Sequence, residues 1–213
     1  MLPIELPFGF DAFFQIPKNL PPVQSVQLPF HVADSLTLAM RVRQAAQRGV
    51  LDLGTGSGLP SVLIACVNPE LPVYAVESKS RKTRFLERAA AVLELPLFVP
   101  LTSDVNELSR RSYFDVDHVT AKAFKPLPEV GPIGERCILH DARLLVPISE
   151  AQVGEFALGE EKLERRGDGF IYYSDTSLSS TNCKRSWGNS ECEAGPPIGH
   201  NVVRAEPHRE SSK

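Results

Sequence analysis

One stretch, Val50-Leu51-Asp52-Leu53-Gly54-Thr55-Gly56-Ser57-Gly58-Leu59-Pro60, constrains this chain more than any other. A short apolar run carries a carboxylate and then meets glycines at three alternate positions. Pro60 follows where the first turn of a helix tolerates a residue without N–H. The pattern predicts a buried parallel strand turning tightly into a helix, with bare main-chain amides facing outward at the turn. The spacing G-x-G-x-G differs from the dinucleotide fingerprint G-x-G-x-x-G, which follows an uncharged strand and cradles a pyrophosphate. A carboxylate two residues before the first glycine repels a pyrophosphate but attracts the ammonium of a methionine moiety. Asp52, Gly54, Gly56 and Gly58 are therefore candidate contacts for S-adenosylmethionine. An ordinary strand-to-helix turn carries similar glycines with no ligand, so the loop alone leaves both readings open.

The elements that follow narrow the choice. An apolar helix over 59–67 is stopped by Asn68-Pro69, and a β-branched run over 73–76 ends at Glu77. An acidic residue about 20 positions beyond the glycines is where nucleotide-binding α/β units place the acceptor for ribose hydroxyls. The alternative for Glu77 is a solvated charge. A helix over about 80–95 directs Phe85, Ala89, Val92 and Leu93 at a sheet and lines a different face with Arg81, Arg84 and Arg88. That basic stripe is either solvated surface or a set of phosphate contacts. A third strand over 97–99 leads into the Ser103-Asp104 turn, which in this architecture borders an adenine ring. A fourth over 116–120 delivers Lys122 to its carboxyl end, where open α/β sheets bind ligands. Lys122 either faces substrate or snorkels to close the strand. A fifth strand is expected over 143–148, with short strands over 170–173 and 201–204 and loop over 174–199.

Length and composition set outer bounds. A chain of 213 residues suits one domain with decorations. With 23 basic against 26 acidic residues it carries net charge −3, which argues against a general nucleic-acid coat but leaves room for a local basic groove. No apolar run approaches membrane-spanning length, and the N-terminus lacks a basic leader, so a cytoplasmic protein without membrane attachment is expected. Cys66, Cys137, Cys183 and Cys192 lack paired C-x-x-C spacing and an accompanying histidine cluster. They read as free thiols rather than zinc ligands, and no metal is expected. Prolines crowd residues 1–29, which excludes a long helix there and leaves an extended arm or a poorly ordered terminus. A helix over 31–47 follows, with Val32, Leu36, Ala39 and Val42 sharing a face and His31 and Asp34 as cap or surface residues.

The order of these motifs resembles the glucose-inhibited division protein B family, bacterial methyltransferases that modify a guanine N7 of small-subunit ribosomal RNA. His31-Val32-Ala33-Asp34-Ser35-Leu36 is similar to its H-x-x-D-S-L segment, and Val50 to Pro60 follows its V-L-D-L-G-T-G-x-G-L-P loop. Asn68-Pro69-Glu70-Leu71, Glu77-Ser78 and Arg81-Lys82-Thr83-Arg84-Phe85-Leu86 come in the family's order. Thr120-Ala121-Lys122-Ala123-Phe124 resembles its [ST]-R-A segment, and Gly199-His200-Asn201-Val202-Val203 its R-H-L-V-V strand. The chain departs from the pattern at Ser61 (glycine in the family), at Lys122 (arginine), in the absence of a K-G dipeptide after strand five, and in its shortened N-terminal region.

The resemblance implies an α/β fold of the Rossmann-like class I S-adenosylmethionine-dependent methyltransferases, a mostly parallel sheet with helices on both faces. It divides the chain into an arm and lead helix over 1–49, a methyltransferase core over 50–150 and a degenerate C-terminal portion with a tail over 151–213. Gly54 and Leu59 would bound the cofactor, Ser103 and Asp104 would contact its adenosine, and Lys122 would sit at the pocket rim as a positioning residue. The expected substrate is small-subunit ribosomal RNA or the assembling small subunit, met by a monomer. The alternatives are a non-catalytic relic that binds cofactor or RNA without turnover, and a small-molecule methyltransferase.

Overall fold

The computed structural model describes residues 22–108, 110, 112–167, 169–179 and 201–204. The first helix, α1, runs Pro22–Arg43. It begins well before the expected boundary and replaces the end of the anticipated arm. Pro22 occupies its first position, where a missing N–H costs nothing, and only Pro29 lies in its interior. Burial of Asp34, Ser35, Leu38, Ala39 and Val42 on one face offsets that interior proline. The buried face is thus rotated from the expected one: Val32 and Leu36 are only half-buried, while Asp34 is 7% exposed. Residues 1–21 of the anticipated arm lie outside the described residues.

The chain then alternates strand and helix: β1 Val50–Leu53, α2 Ser61–Val67, β2 Val73–Glu77, α3 Ser80–Val92, β3 Phe98–Thr102, α4 Val105–Leu108, β4 Ser112–Phe114 and β5 His118–Thr120. The second half comprises α5 Leu127–Cys137, β6 Ala142–Ile148, α6 Glu150–Glu155, β7 Leu163–Arg165, β8 Ile171–Leu178 and β9 Asn201–Val203. Seven strands form one sheet in the order β3-β2-β1-β5-β6-β8-β7. The first five are mutually parallel, and β8 runs antiparallel to both its neighbours. Strand β4, absent from the sequence reading, pairs with β9 in a separate two-stranded sheet. Strand β8 reaches Leu178, so 174–178 is strand where loop was expected; 180–200, with Cys183 and Cys192, falls outside the described residues.

The alternation of the strands sorts the core into two layers. Val50, Val73 and Ala75 face α1, α2 and α3, whereas Leu51, Tyr74 and Val76 face the layer that contains α5. Strand β1 is buried along its whole length, which is why it reads as a continuous apolar run. Asp52 shares the face of Val50 and is paired in register with Ala75 and Thr120, at the centre of the sheet. On α3 the buried positions are Thr83, Leu86 and Ala89; Val92, expected on the sheet, is 53% exposed. Cys66 and Cys137 are buried free thiols, and burial pushes both thiols up to about 12, so they stay protonated and inert.

The chain runs outward from β1 to β2 and β3, then crosses back to β5 and β6 on the other side. That reversal leaves a crevice above the carboxyl ends of β1 and β5. Helix α1 frames it from outside. Arg41 holds Glu164 of β7 at 2.8 Å, and Glu164 also pairs with Arg143 of β6, whose guanidinium donates to Ser174 of β8 at 2.7 Å. Among the described residues no helix is long and apolar enough to cross a membrane.

Candidate functional site: two cavities with a shared wall

Four parallel strands end in the crevice, and each delivers part of a cleft of about 520 Å³. The β1 turn supplies Gly54, Gly56, Ser57 and Leu59; β2 supplies Glu77; β3 supplies Ser103 and Asp104; β5 supplies Lys122. The turn is held to the sheet by the Thr55 amide, which donates to the Val76 carbonyl at 2.9 Å, and the Ser103 amide donates to the Glu77 carbonyl at 3.0 Å. The volume suits a drug-sized ligand.

The three glycines do different work. All have positive φ, at 69°, 63° and 92°. A Cβ on Gly54 would stand 2.1 Å from the Phe124 ring, so this position is closed by packing as well as by its backbone. A Cβ on Gly58 would meet Leu86 and Val62, on the core side, and Gly58 lines no part of the cleft. Only at Gly56 would a Cβ meet no clash, in ordinary contact with the Lys82 ammonium at 3.8 Å and the Gly54 carbonyl at 3.9 Å. Close main-chain approach by a ligand is therefore available at Gly56, whereas Gly58 lets the turn pack on α3. Pro60 precedes α2 as its N-cap residue instead of lying in its first turn.

Asp52 stands behind this wall. It is fully buried, and neither carboxylate oxygen has a hydrogen-bond partner. Burial raises its pKa to about 6, countered by the nearby Thr55 and Ser61 hydroxyls and the Lys122 charge. Those two hydroxyls also hydrogen-bond each other, so the serine that departs from the family pattern adds a polar group beside the carboxylate. The expectation that Asp52 directly meets a ligand ammonium is not matched by this geometry, because the side chain points into the α1–α2 layer.

Glu77 lines the cleft at the end of β2. Burial alone would raise its pKa; the Lys79 amide, 2.9 Å away, the Lys82 ammonium and the Ser78 hydroxyl outweigh this and hold it below the usual carboxylate value. It is an ionised acceptor. Lys82, which sequence reasoning assigned no role, sits 3.5 Å from Glu77 between that carboxylate and the glycine turn. Asp104 spends one oxygen on the Asn106 amide at 2.8 Å, capping the short α4, and remains exposed to the cleft. Arg81, Arg84 and Arg88 are exposed on α3 and line neither this cleft nor its neighbour.

A second cavity, of about 560 Å³, opens beside the first above the ends of β5 and β6. It is lined by apolar side chains, among them Leu127, Val130, Val146 and Ile148, with Phe30, Asp34 and Phe170 also in its wall. His31, Lys122, Ala123, Phe124 and Lys125 line both cavities. Lys122 is the centre of that wall, but it is not a free cation at the rim. Its ammonium reaches Asp34 at 2.5 Å, the Ser35 hydroxyl at 3.3 Å and the His31 carbonyl at 3.5 Å, all on α1. Sequence reasoning left Asp34 as a cap or surface residue; the buried pair with Lys122 corrects that. The signal was present, since Asp34 lies one turn before the buried Leu38 on the apolar face of α1.

Residues 24–164 match the profile of the GidB family, described as rRNA small subunit methyltransferase G. The chain belongs to this family. A ribosomal RNA small subunit methyltransferase G of Paracoccus denitrificans is 38% identical over 57% of this chain and 65% of its own length. Its counterpart in Novosphingobium aromaticivorans is 36% identical over 55% of this chain and 50% of its own length. The chain thus spans between half and two thirds of these two relatives. Among solved structures, a SAM-dependent O-methyltransferase from Thermotoga maritima superposes with TM-score 0.53 at 15% identity, covering 79% of this chain and 71% of that one. It shares the Rossmann-like class I fold.

Proposed function

We propose that the chain is an S-adenosylmethionine-dependent methyltransferase that methylates a guanine N7 of small-subunit ribosomal RNA, acting as a monomer. One observation carries the reading: two ligand-sized cavities at the carboxyl edge of the sheet meet across a single wall, at Lys122 and Phe124. A group-transfer reaction needs that arrangement, because donor and acceptor must be held apart everywhere except at the reacting atoms.

The first cleft fits S-adenosylmethionine by its chemistry. Gly56 offers bare main chain to the methionine end, ionised Glu77 offers its Oε2, which meets only Lys82 at 3.5 Å, to a ribose hydroxyl, and Ser103 and Asp104 border the adenosine. When bound, the cofactor supplies an electrophilic methyl group on a sulfonium. Guanine N7 carries an in-plane lone pair, so no residue has to remove a proton from it. The work of the protein is alignment and exclusion of water. Phe124 packs into the elbow at Gly54 and closes the wall on the cofactor side. Lys122 braces α1 against β5 and so fixes the wall's thickness. Asp34 lines the second cavity as well, and its pairing with the Lys122 ammonium at 2.5 Å cancels the lysine charge that would otherwise oppose the positive charge developing on the purine during transfer. The target base has to leave its stack to enter, as enzymes acting on bases require.

The test has two arms. Equilibrium dialysis with labelled S-adenosylmethionine reads saturable binding to the folded chain. Incubation with unmethylated small-subunit RNA, free and in the subunit, followed by mass mapping reads N7-methylguanine. Saturable binding with methyl on a guanine N7 is the expected outcome. Binding without any methylated RNA leaves the non-catalytic reading in its place.

A further inference from the structure

The mouth of the second cavity carries a feature that methyl transfer by itself does not need. Phe30, on α1, is 64% exposed, more than Val92 at 53%. It is not a stray surface residue. Its ring lies 6.1 Å from that of Phe170, tilted by 31°, and 5.9 Å from the His31 ring, edge-on. Phe170 is held in place by a tight turn: its carbonyl accepts from the Arg166 amide at 2.9 Å, and the Gly169 amide donates to the Arg166 carbonyl at 3.0 Å. Two elements far apart in sequence therefore bring aromatic rings together at the cavity opening.

An apolar ring kept in water costs free energy unless something covers it, and the chemistry around this one selects what. Lys125 lines the same cavity and is exposed, and Arg166 stands exposed at the turn that carries Phe170. Aromatic faces flanked by cations form the usual platform for unstacked nucleobases; Lys125 also pairs with Glu129 at 3.2 Å on the exposed start of α5. With their centroids 6.1 Å apart the two rings already pack against each other and leave no room for a base between them. The free side of Phe30 is the one that can take it.

We infer that Phe30, backed by Phe170, is a stacking platform for the RNA base next to the methylated guanine, holding the strand splayed while the target occupies the second cavity. This rests on the assignment of that cavity to the acceptor base. The platform supplies what an unstacked guanine loses in the RNA, a neighbour, without occupying the reaction space. It also gives α1 a role in substrate binding beyond its contact with Lys122.

The experiment compares the full chain with Phe30→Ala, Phe30→Leu, Phe30→Trp and Phe170→Ala, measuring the S-adenosylmethionine Kd by dialysis and KM and kcat for unmethylated small-subunit RNA. Base stacking on an aromatic side chain predicts a rise in RNA KM of about tenfold for Phe30→Ala. The cofactor Kd should stay within about twofold. Phe30→Leu, which keeps the apolar bulk and removes the π face, should behave like Phe30→Ala, and Phe30→Trp should match or improve on the wild-type KM. Phe170→Ala should give a smaller rise in the same parameter. Wild-type KM in Phe30→Leu, or a cofactor Kd that rises in step with the RNA KM, overturns the platform. If the unaltered chain binds cofactor and methylates no RNA, it is the parent assignment that fails, and the platform goes with it.

Discussion

The two cavities share a wall yet are built in opposite ways. The first is made mainly of the ends of β1, β2, β3 and β5 and the main chain of the β1 turn, with His31 of α1 at its edge, so most of its wall follows from strand ends and one turn. The second is made of side chains from α1, the segment after β5, the end of β6 and the β7–β8 hairpin, residues separated by more than half the chain. A backbone-lined cleft can be written in a short motif, because glycine spacing and strand length determine it. A side-chain-lined cavity depends on how distant elements pack, and no short motif encodes that.

The sharpest way to break this contrast is at the glycines. Gly54→Ala places a Cβ into the Phe124 ring at a positive φ. It is expected to abolish cofactor binding and to lower the melting temperature by about 10 °C, while Gly56→Ala, which meets no clash, costs only the left-handed backbone penalty of about 1–2 kcal/mol. Equal effects of the two substitutions in dialysis and thermal melts would remove the packing role assigned to Gly54.

At the shared wall, Lys122→Ala leaves the buried Asp34 carboxylate without its partner and should destabilise the fold by about 3 kcal/mol in urea titration. The double variant Lys122→Ala, Asp34→Ala should recover most of that loss, because the cost lies in the orphaned charge.

Behind the cleft, Asp52→Asn tests the buried carboxylate. Its pKa of about 6 in the folded chain stands above the unfolded value of 3.8, so the folded state holds the proton more tightly. The stability it contributes is fully present below about pH 4 and is lost as pH rises through about 6. Asn, which never ionises, should therefore match the wild type near pH 4 and exceed it by about 3 kcal/mol above pH 7. If the Asp52 field also steadies the methionine ammonium, the same variant should bind cofactor several-fold more weakly. A gain in stability that is the same at both pH values would contradict the buried, proton-binding state.

The smallest effect belongs to the stripe on α3. Reversal of Arg81, Arg84 and Arg88 to Glu should weaken RNA binding by up to about tenfold at low salt and flatten its salt dependence, with cofactor Kd unchanged. No change in either would return the stripe to plain solvated surface.

Legibility in the sequence follows the same division. The β1 turn, Glu77, the Ser103-Asp104 turn and the emergence of Lys122 beside them could all be read from strand ends and spacing, because each is a local consequence of a buried parallel sheet. Gly58 and Asp52 were misplaced for one reason: spacing says that a residue lies in the loop and cannot say which side of it faces the core. The extent of α1 was missed because proline counts describe propensity, which tertiary burial overrode. Asp34, Phe30 and Phe170 were invisible as a set, since nothing but the packing of α1 against β5 and the last hairpin unites them. Strand β4 and its partner β9 form a short pair off the main sheet, too brief for any period to show.

The account turns on which cavity takes which ligand, and a pair of space-filling substitutions measures that directly. Gly56→Trp fills the first cleft and Ile148→Trp the second, each assayed for S-adenosylmethionine binding and for methyl transfer to small-subunit RNA. The account predicts that Gly56→Trp abolishes both, whereas Ile148→Trp keeps the wild-type cofactor Kd and loses methyl transfer. Loss of cofactor binding in Ile148→Trp, or its survival in Gly56→Trp, would contradict it.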